Sequence, residues 1–304
     1  MNRFNTLLQR EWMQHQRGWL ILMGLPTALF LLIVVLGQWQ FSLGDNNHPQ
    51  QAGLLVQALA AVVGTAITTL ALAWLTANFQ APGLARRDQQ DRSIEFWLSL
   101  PTPPAQSVAA TVLAHLLLVP WLALAAGLLG GAVVATAMAI KLQGLGGLWA
   151  LPWGDIIPAV LALFLRLSLG LLLATLWLSP LTLATMAASA WLKRWGLPVV
   201  VLGVASLGLL LDKLWGTPVV WQLLGDLGHN AGQAFLHTSQ TAPGSSIRIS
   251  NEAGVPALLQ LVPSWALSDA GRALQALAQP LFLGAMLVAA GCFALLVWRR
   301  QRGS

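Results

Sequence analysis

One stretch constrains this chain more than any other: 37 residues from Ile156 to Leu192 whose only ionisable side chain is Arg166. As a helix it measures about 55 Å at ~1.5 Å per residue, whereas the hydrocarbon core of a bilayer is about 30 Å thick. No water-facing fold can hide such a run. Either one helix overshoots the membrane, or Ser179-Pro180 breaks it into two shorter spans. In lipid the backbone must satisfy its own hydrogen bonds, and that makes the run helical.

Five further apolar runs accompany it: Trp19–Gly37, Gly53–Ala77, Ser107–Met138 (with Pro120 inside), Leu197–Leu211 and Pro280–Trp298. Only 9% of residues are charged against 57% apolar, where a soluble domain carries about 25% charged. An ordinary soluble enzyme and a disordered chain are both excluded, and an all-α integral membrane protein is expected. Asp155 is placed as an N-cap of the long run, with Pro158 in its first turn. A lone cysteine, Cys292, rules out an intrachain disulfide and a Cys-rich metal site.

Positive charge chooses between the two treatments of the long run. With six spans and an inner N-terminus, eleven Lys and Arg fall inside and four outside (Lys141, Lys213, Arg248 and Arg272). Splitting the run at Pro180 gives nine against six. The positive-inside rule favours six spans. The net charge of +6 is thereby explained by topology and calls for no nucleic-acid partner. Tryptophans flank the spans, among them Trp19, Trp39, Trp153, Trp191, Trp215 and Trp298, as an interfacial belt requires.

Three segments lie outside the spans. In Asn2–Gly18, residues Phe4, Leu7, Leu8 and Trp12 recur at helical spacing beside Arg3, Arg10, Glu11 and Arg17, predicting an amphipathic helix on the inner membrane face. The inner loop 78–106 opens at Pro82-Gly83. It carries a short helical stretch, Ser93–Leu100, capped by Asp91, stopped by Pro101, and apolar on one face through Ile94, Trp97 and Leu98. A helix this short needs a bilayer or a partner protein to cover it. The outer segment 215–279 holds amphipathic pieces at Val219–Leu227 and Pro256–Leu261, and a second helix start at Ser268-Asp269.

Catalytic signatures are missing. The chain has no G-x-x-x-x-G-K-[ST], no H-E-x-x-H and no paired carboxylates within a span. His115 is the single histidine within a span, which excludes an intrachain bis-His haem; it reads as a packed or interfacial residue. Arg166, counted about ten residues past Asp155, is placed near mid-bilayer. It faces a water-filled path or holds an anionic substrate group, or it pairs with a carboxylate or backbone carbonyls of a neighbouring helix or subunit.

The N-terminal Arg10-Glu11-Trp12, the loop Asp91-Arg92-Ser93-Ile94-Glu95-Phe96-Trp97-Leu98-Ser99-Leu100-Pro101, and Leu178-Ser179-Pro180 near the end of the fourth run together give a layout that resembles permease subunits of type-2 ABC transporters. The resemblance covers nearly the whole chain as one transmembrane domain. It implies six transmembrane helices per subunit and short re-entrant helices between the fifth and sixth. It also implies a second permease subunit, identical or homologous, two separate ABC ATPase subunits that hold ATP and Mg, and a bacterial cytoplasmic (inner) membrane with both termini cytoplasmic. Coupling to the ATPase would fall to Arg10, Glu11, Asp91, Arg92, Ile94, Glu95, Trp97, Leu98 and Pro101. Arg166 and Pro180 would serve the pathway or its framework. The competing classes are an ion-coupled secondary carrier and a membrane enzyme acting on lipid; no inverted repeat or intramembrane carboxylate favours the first, and no base or nucleophile cluster favours the second.

Overall fold

The computed structural model describes residues 3–37, 49–87, 103–236 and 254–302. Helix is the only regular structure among them. In chain order the helices are α1 (Arg3–Leu36), α2 (Pro49–Leu84), α3 (Pro104–Gln143), α4 (Gly146–Ala150), α5 (Trp153–Leu192), α6 (Gly196–Trp215), α7 (Val219–Phe235), α8 (Gly254–Gln275) and α9 (Pro280–Gln301). Five stretches are long and apolar enough to cross a membrane: Phe4–Leu36, Leu54–Leu84, Pro104–Gln143, Trp153–Trp215 and Pro280–Gln301. The protein is a helical, multi-pass membrane protein by length and composition. The fourth stretch contains two helices, α5 and α6, separated by a 3-10 turn at Lys193–Trp195, where Lys193 adopts φ 54°.

The amphipathic N-terminal segment and the first apolar run are one helix. The buried positions Leu7, Glu11, Trp19, Met23, Pro26 and Val34 continue without a change of phase, with half-buried His15 and Phe30 filling the same stripe. A single buried face thus carries the helix through Gly18, which the sequence treats as a boundary between two helices. Trp19, expected in the interfacial belt, is 3% exposed and packs against His115.

The long fourth run is also unbroken. Proline removes the N–H that would bond the carbonyl four residues earlier. For Pro180 that carbonyl belongs to Leu176, and Ser179 Oγ donates to it at 2.7 Å. The break expected as an alternative at Ser179-Pro180 is therefore repaired by the serine itself. In α3 the same problem at Pro120 is met differently. Residues Ala114–Leu118 form a π turn, and Thr175 Oγ1 of α5 donates to the Leu116 carbonyl at 3.3 Å. A side chain or a local π adjustment is how a spanning helix accommodates proline.

Other boundaries shift. α2 runs through Asn78 and Pro82 to Leu84, so the segment expected to open the inner loop is helical. Pro152, not Asp155, precedes the first helical residue of α5, and Asp155 lies in its first turn. Ser268-Asp269 lies inside α8 and starts no helix. The two outer amphipathic pieces belong to longer helices, α7 and α8.

Small residues set the packing. α2 and α3 lie so close that a Cβ on Gly131 would sit 2.7 Å from the Val62 Cα, and one on Gly127 2.8 Å from the Ala66 Cα. Close backbone approach through Gly and Ala is the usual packing mode where lipid supplies no hydrophobic drive between helices. α9 lies along the second half of α5, with Phe282 against Trp177 and Trp298 against Trp191. α8 lies along the first half, with Gln260 bonded to Asp155 and Asp269 to Arg166.

Candidate functional site at the basic end of the bundle

At one end of the bundle cations gather. Arg299 lies over the Trp191 ring at 5.2 Å and Arg302 over Trp298 at 3.8 Å. Beside them a cleft of about 620 Å³ lies between the end of α2 and the α5–α6 turn, lined by Arg86, Arg87, Lys193 and Arg194 among others.

Against this end sits a buried carboxylate. Glu11 of α1 is 2% exposed. Arg87, just beyond α2, donates Nη1 to Oε2 at 3.0 Å and Nη2 to Oε1 at 2.9 Å. Arg10 Nη2 donates to Oε1 as well. From α3, Thr111 Oγ1 donates to Oε1 at 3.1 Å, and His115 Nε2 lies 3.3 Å from Oε2. Three segments distant in sequence thus converge on one carboxylate, two of them through charge-assisted bonds, one bidentate. The neighbouring His15 ring meets His115 edge-on at 5.0 Å.

Ligand atoms of Glu11, His15 and His115 lie within 4.8 Å of one another. That spacing suits a cation, but the electrostatics do not: both carboxylate oxygens already receive guanidinium groups, and a metal ion would face two fixed positive charges. The arrangement is an anion clamp that ties α1 to α2 and α3.

Of the residues singled out in sequence, Arg10 and Glu11 meet here, and Glu11 is buried. Asp91, Arg92, Ile94, Glu95, Trp97, Leu98 and Pro101 lie outside the described residues. Arg87 is the last described residue before that loop. Pro180 is buried within α5.

Arg166 is 2% exposed and paired. Its Nε donates to Asp269 Oδ2 at 2.9 Å, Nη2 lies 2.7 Å from the same oxygen as an ion pair, and Nη1 donates to the Ala234 carbonyl at 2.8 Å. Of the expected alternatives, pairing with a carboxylate and a carbonyl of neighbouring helices is the one observed.

Sequence reasoning missed Arg87, Thr111 and His115 as partners of Glu11, and Asp269 as the partner of Arg166. One signal was present: Asp269 is an acid in a largely apolar stretch, and such a residue needs a buried cation. Compared with protein-family models, curated proteins and solved structures, the chain matches none of the three.

Proposed function

We propose that this chain is the membrane-spanning permease subunit of an ATP-driven ABC transporter that exports an apolar or amphipathic substrate. The observation that carries the proposal is the Glu11–Arg87 tie. It joins the N-terminal helix to the entry of the Asp91–Pro101 loop, so a push on either moves both. In this reading α5 and α6 are separate spans, reversing at Lys193, which gives six in all. Glu11, the Lys193–Arg194 turn and Arg299–Arg302 lie on the cytoplasmic side of a bacterial inner membrane, where positive charge belongs. α7 and α8 then form the re-entrant outer layer. The basic cleft beside Arg87 suits an acidic docking surface on the ATPase.

The mechanism is transmission. Two partner ATPase subunits bind ATP and Mg and close together. Their closure presses the Ile94, Trp97 and Leu98 face of the loop. Arg87 passes the displacement to Glu11 and hence to α1 and α3. Substrate leaves between two permease subunits as the spans tilt. Coupling of this kind requires that the loop bind the two ATPase states with different affinity. Hydrolysis belongs to the partner, since the P-loop signature is missing from this chain.

The test is co-purification from the native host in mild detergent, with mass spectrometry and an ATPase assay. A stoichiometric P-loop partner, and ATP turnover that loses its substrate dependence in Trp97→Ala and Glu95→Ala, support the proposal. A solitary chain without ATPase activity in several detergents overturns it.

A further inference from the structure

α7 is amphipathic, and its polar side borders an open cavity, with Asp226 and His229 exposed and Asn230 and Gln233 half-buried. Leu227, Ala231 and Ala234 pack on Leu173, Ala174 and Trp177 of α5. Asp226, His229, Asn230 and Gln233, at i, i+3, i+4 and i+7, line a cavity of about 580 Å³. Small residues, Ala273 and Ala276, leave room on the far wall, and the Gln279–Pro280 junction between α8 and α9 borders it. Trp177 lies behind the wall, 1% exposed and covered by Phe282.

Among the described residues that line the cavity, Asp226 is the only carboxylate and none is Lys or Arg. Among the described residues no cation pairs with Asp226; Asn230 reaches only its backbone carbonyl, at 2.8 Å. A single carboxylate with neutral amides and an imidazole is too poor in charged ligands for Ca²⁺ or Mg²⁺. It is matched in charge to one organic ammonium group whose body rests on Leu281 and the alanines. The volume falls in the range of small-molecule sites.

We propose that this cavity is the substrate vestibule and that it takes an amphipathic organic cation. The assignment rests on the permease reading for the transport step alone; binding itself is a property of this chain.

The experiment uses the full chain in lipid nanodiscs and equilibrium dialysis with radiolabelled tetraphenylphosphonium. Tetraphenylborate, of the same shape and opposite charge, is the counter-probe. Saturable binding of the cation is expected, with affinity reduced about tenfold or more in Asp226→Asn, as for the loss of one charged contact. Asp212→Asn, on α6, leaves it unchanged. Ala276→Phe fills the cavity without altering charge and also abolishes binding. Each variant is first shown to melt as the parent does. Equal binding by Asp226→Asn, or equal binding of tetraphenylborate, overturns the assignment. If Asp226→Asn misfolds, the parent and Ala276→Phe decide it: undiminished binding in the latter overturns the proposal. Loss of cation binding with an ATPase partner present strikes this assignment alone. Binding without any ATPase partner strikes the permease reading alone.

Discussion

Arg87 holds Glu11 with both terminal nitrogens, at 2.9 and 3.0 Å, across 76 positions of sequence. The carboxylate is buried, whereas the Arg10 and Arg87 side chains keep 11% and 16% of their surface exposed. Removing the anion takes away the carboxylate that Arg10 and Arg87 share. Glu11→Gln is therefore expected to destabilise the protein by about 3 kcal/mol. Arg87→Met lowers stability less, because Arg10, Thr111 and His115 still serve the carboxylate. A double-mutant cycle on thermal unfolding in nanodiscs should return a coupling above ~1 kcal/mol. Additive losses would show that the helices are held by other contacts.

At the other end of α5 the Arg166–Asp269 pair is fully enclosed, with both side chains 0% exposed. Breaking such a pair from one side costs about 3–5 kcal/mol, while replacing both partners by apolar residues is often neutral. Asp269→Leu should sharply lower the melting temperature, and Arg166→Met should do the same. The double variant should recover most of the loss, though not all, since the Ala234 carbonyl loses its donor. If the double variant is as unstable as either single one, the pair has a role beyond holding α8 on α5.

The α2–α3 contact gives a contrast between two glycines. A Cβ on Gly131 would meet the Val62 Cα at 2.7 Å and the Val62 carbonyl oxygen at 2.8 Å. Both are backbone atoms, so the helices must separate, and Gly131→Ala is expected to cost about 1–3 kcal/mol. A Cβ on Gly203, in α6, meets nothing within 4 Å. Gly203→Ala should be neutral or stabilising by up to ~1 kcal/mol, from helix propensity alone. Melting curves of the two variants side by side separate packing from propensity. Equal effects would remove the close approach as an explanation.

The membrane-spanning runs were legible because hydropathy and length report them directly; Pro280–Gln301 differs from its sequence estimate only at its C-terminal end. Helix ends were less legible where proline or glycine usually stops a helix. Pro82, Pro120 and Pro180 all lie inside helices, because side-chain donors and a π turn compensate for two of them in ways a linear pattern does not show. The site was half legible. Arg10, Glu11 and Arg166 stand out as charges in apolar surroundings, but their partners lie up to 104 positions away. Pairing over such distances is decided by which helices become neighbours. The continuity of α1 was readable in principle, in the stripe Leu7, Glu11, Trp19, Met23, where Glu11 interrupts the apolar character but keeps the phase.

Ser179 offers the most local of these tests. Its hydroxyl occupies the Leu176 carbonyl that Pro180 leaves open, at 2.7 Å. Ser179→Ala strands that carbonyl in an apolar stretch and should cost about 1–3 kcal/mol, the penalty of an unsatisfied buried acceptor. Pro180→Ala restores a backbone N–H at the same place, and it should be neutral or stabilising in the Ser179→Ala background. The double variant Ser179→Ala/Pro180→Ala is thus expected to melt above the single Ser179→Ala variant. The order of the melting temperatures decides the point, because the two substitutions act on one carbonyl. If the double variant melts below both single variants, Pro180 sets the course of α5 through a bend that α9 requires, and the serine bond is secondary.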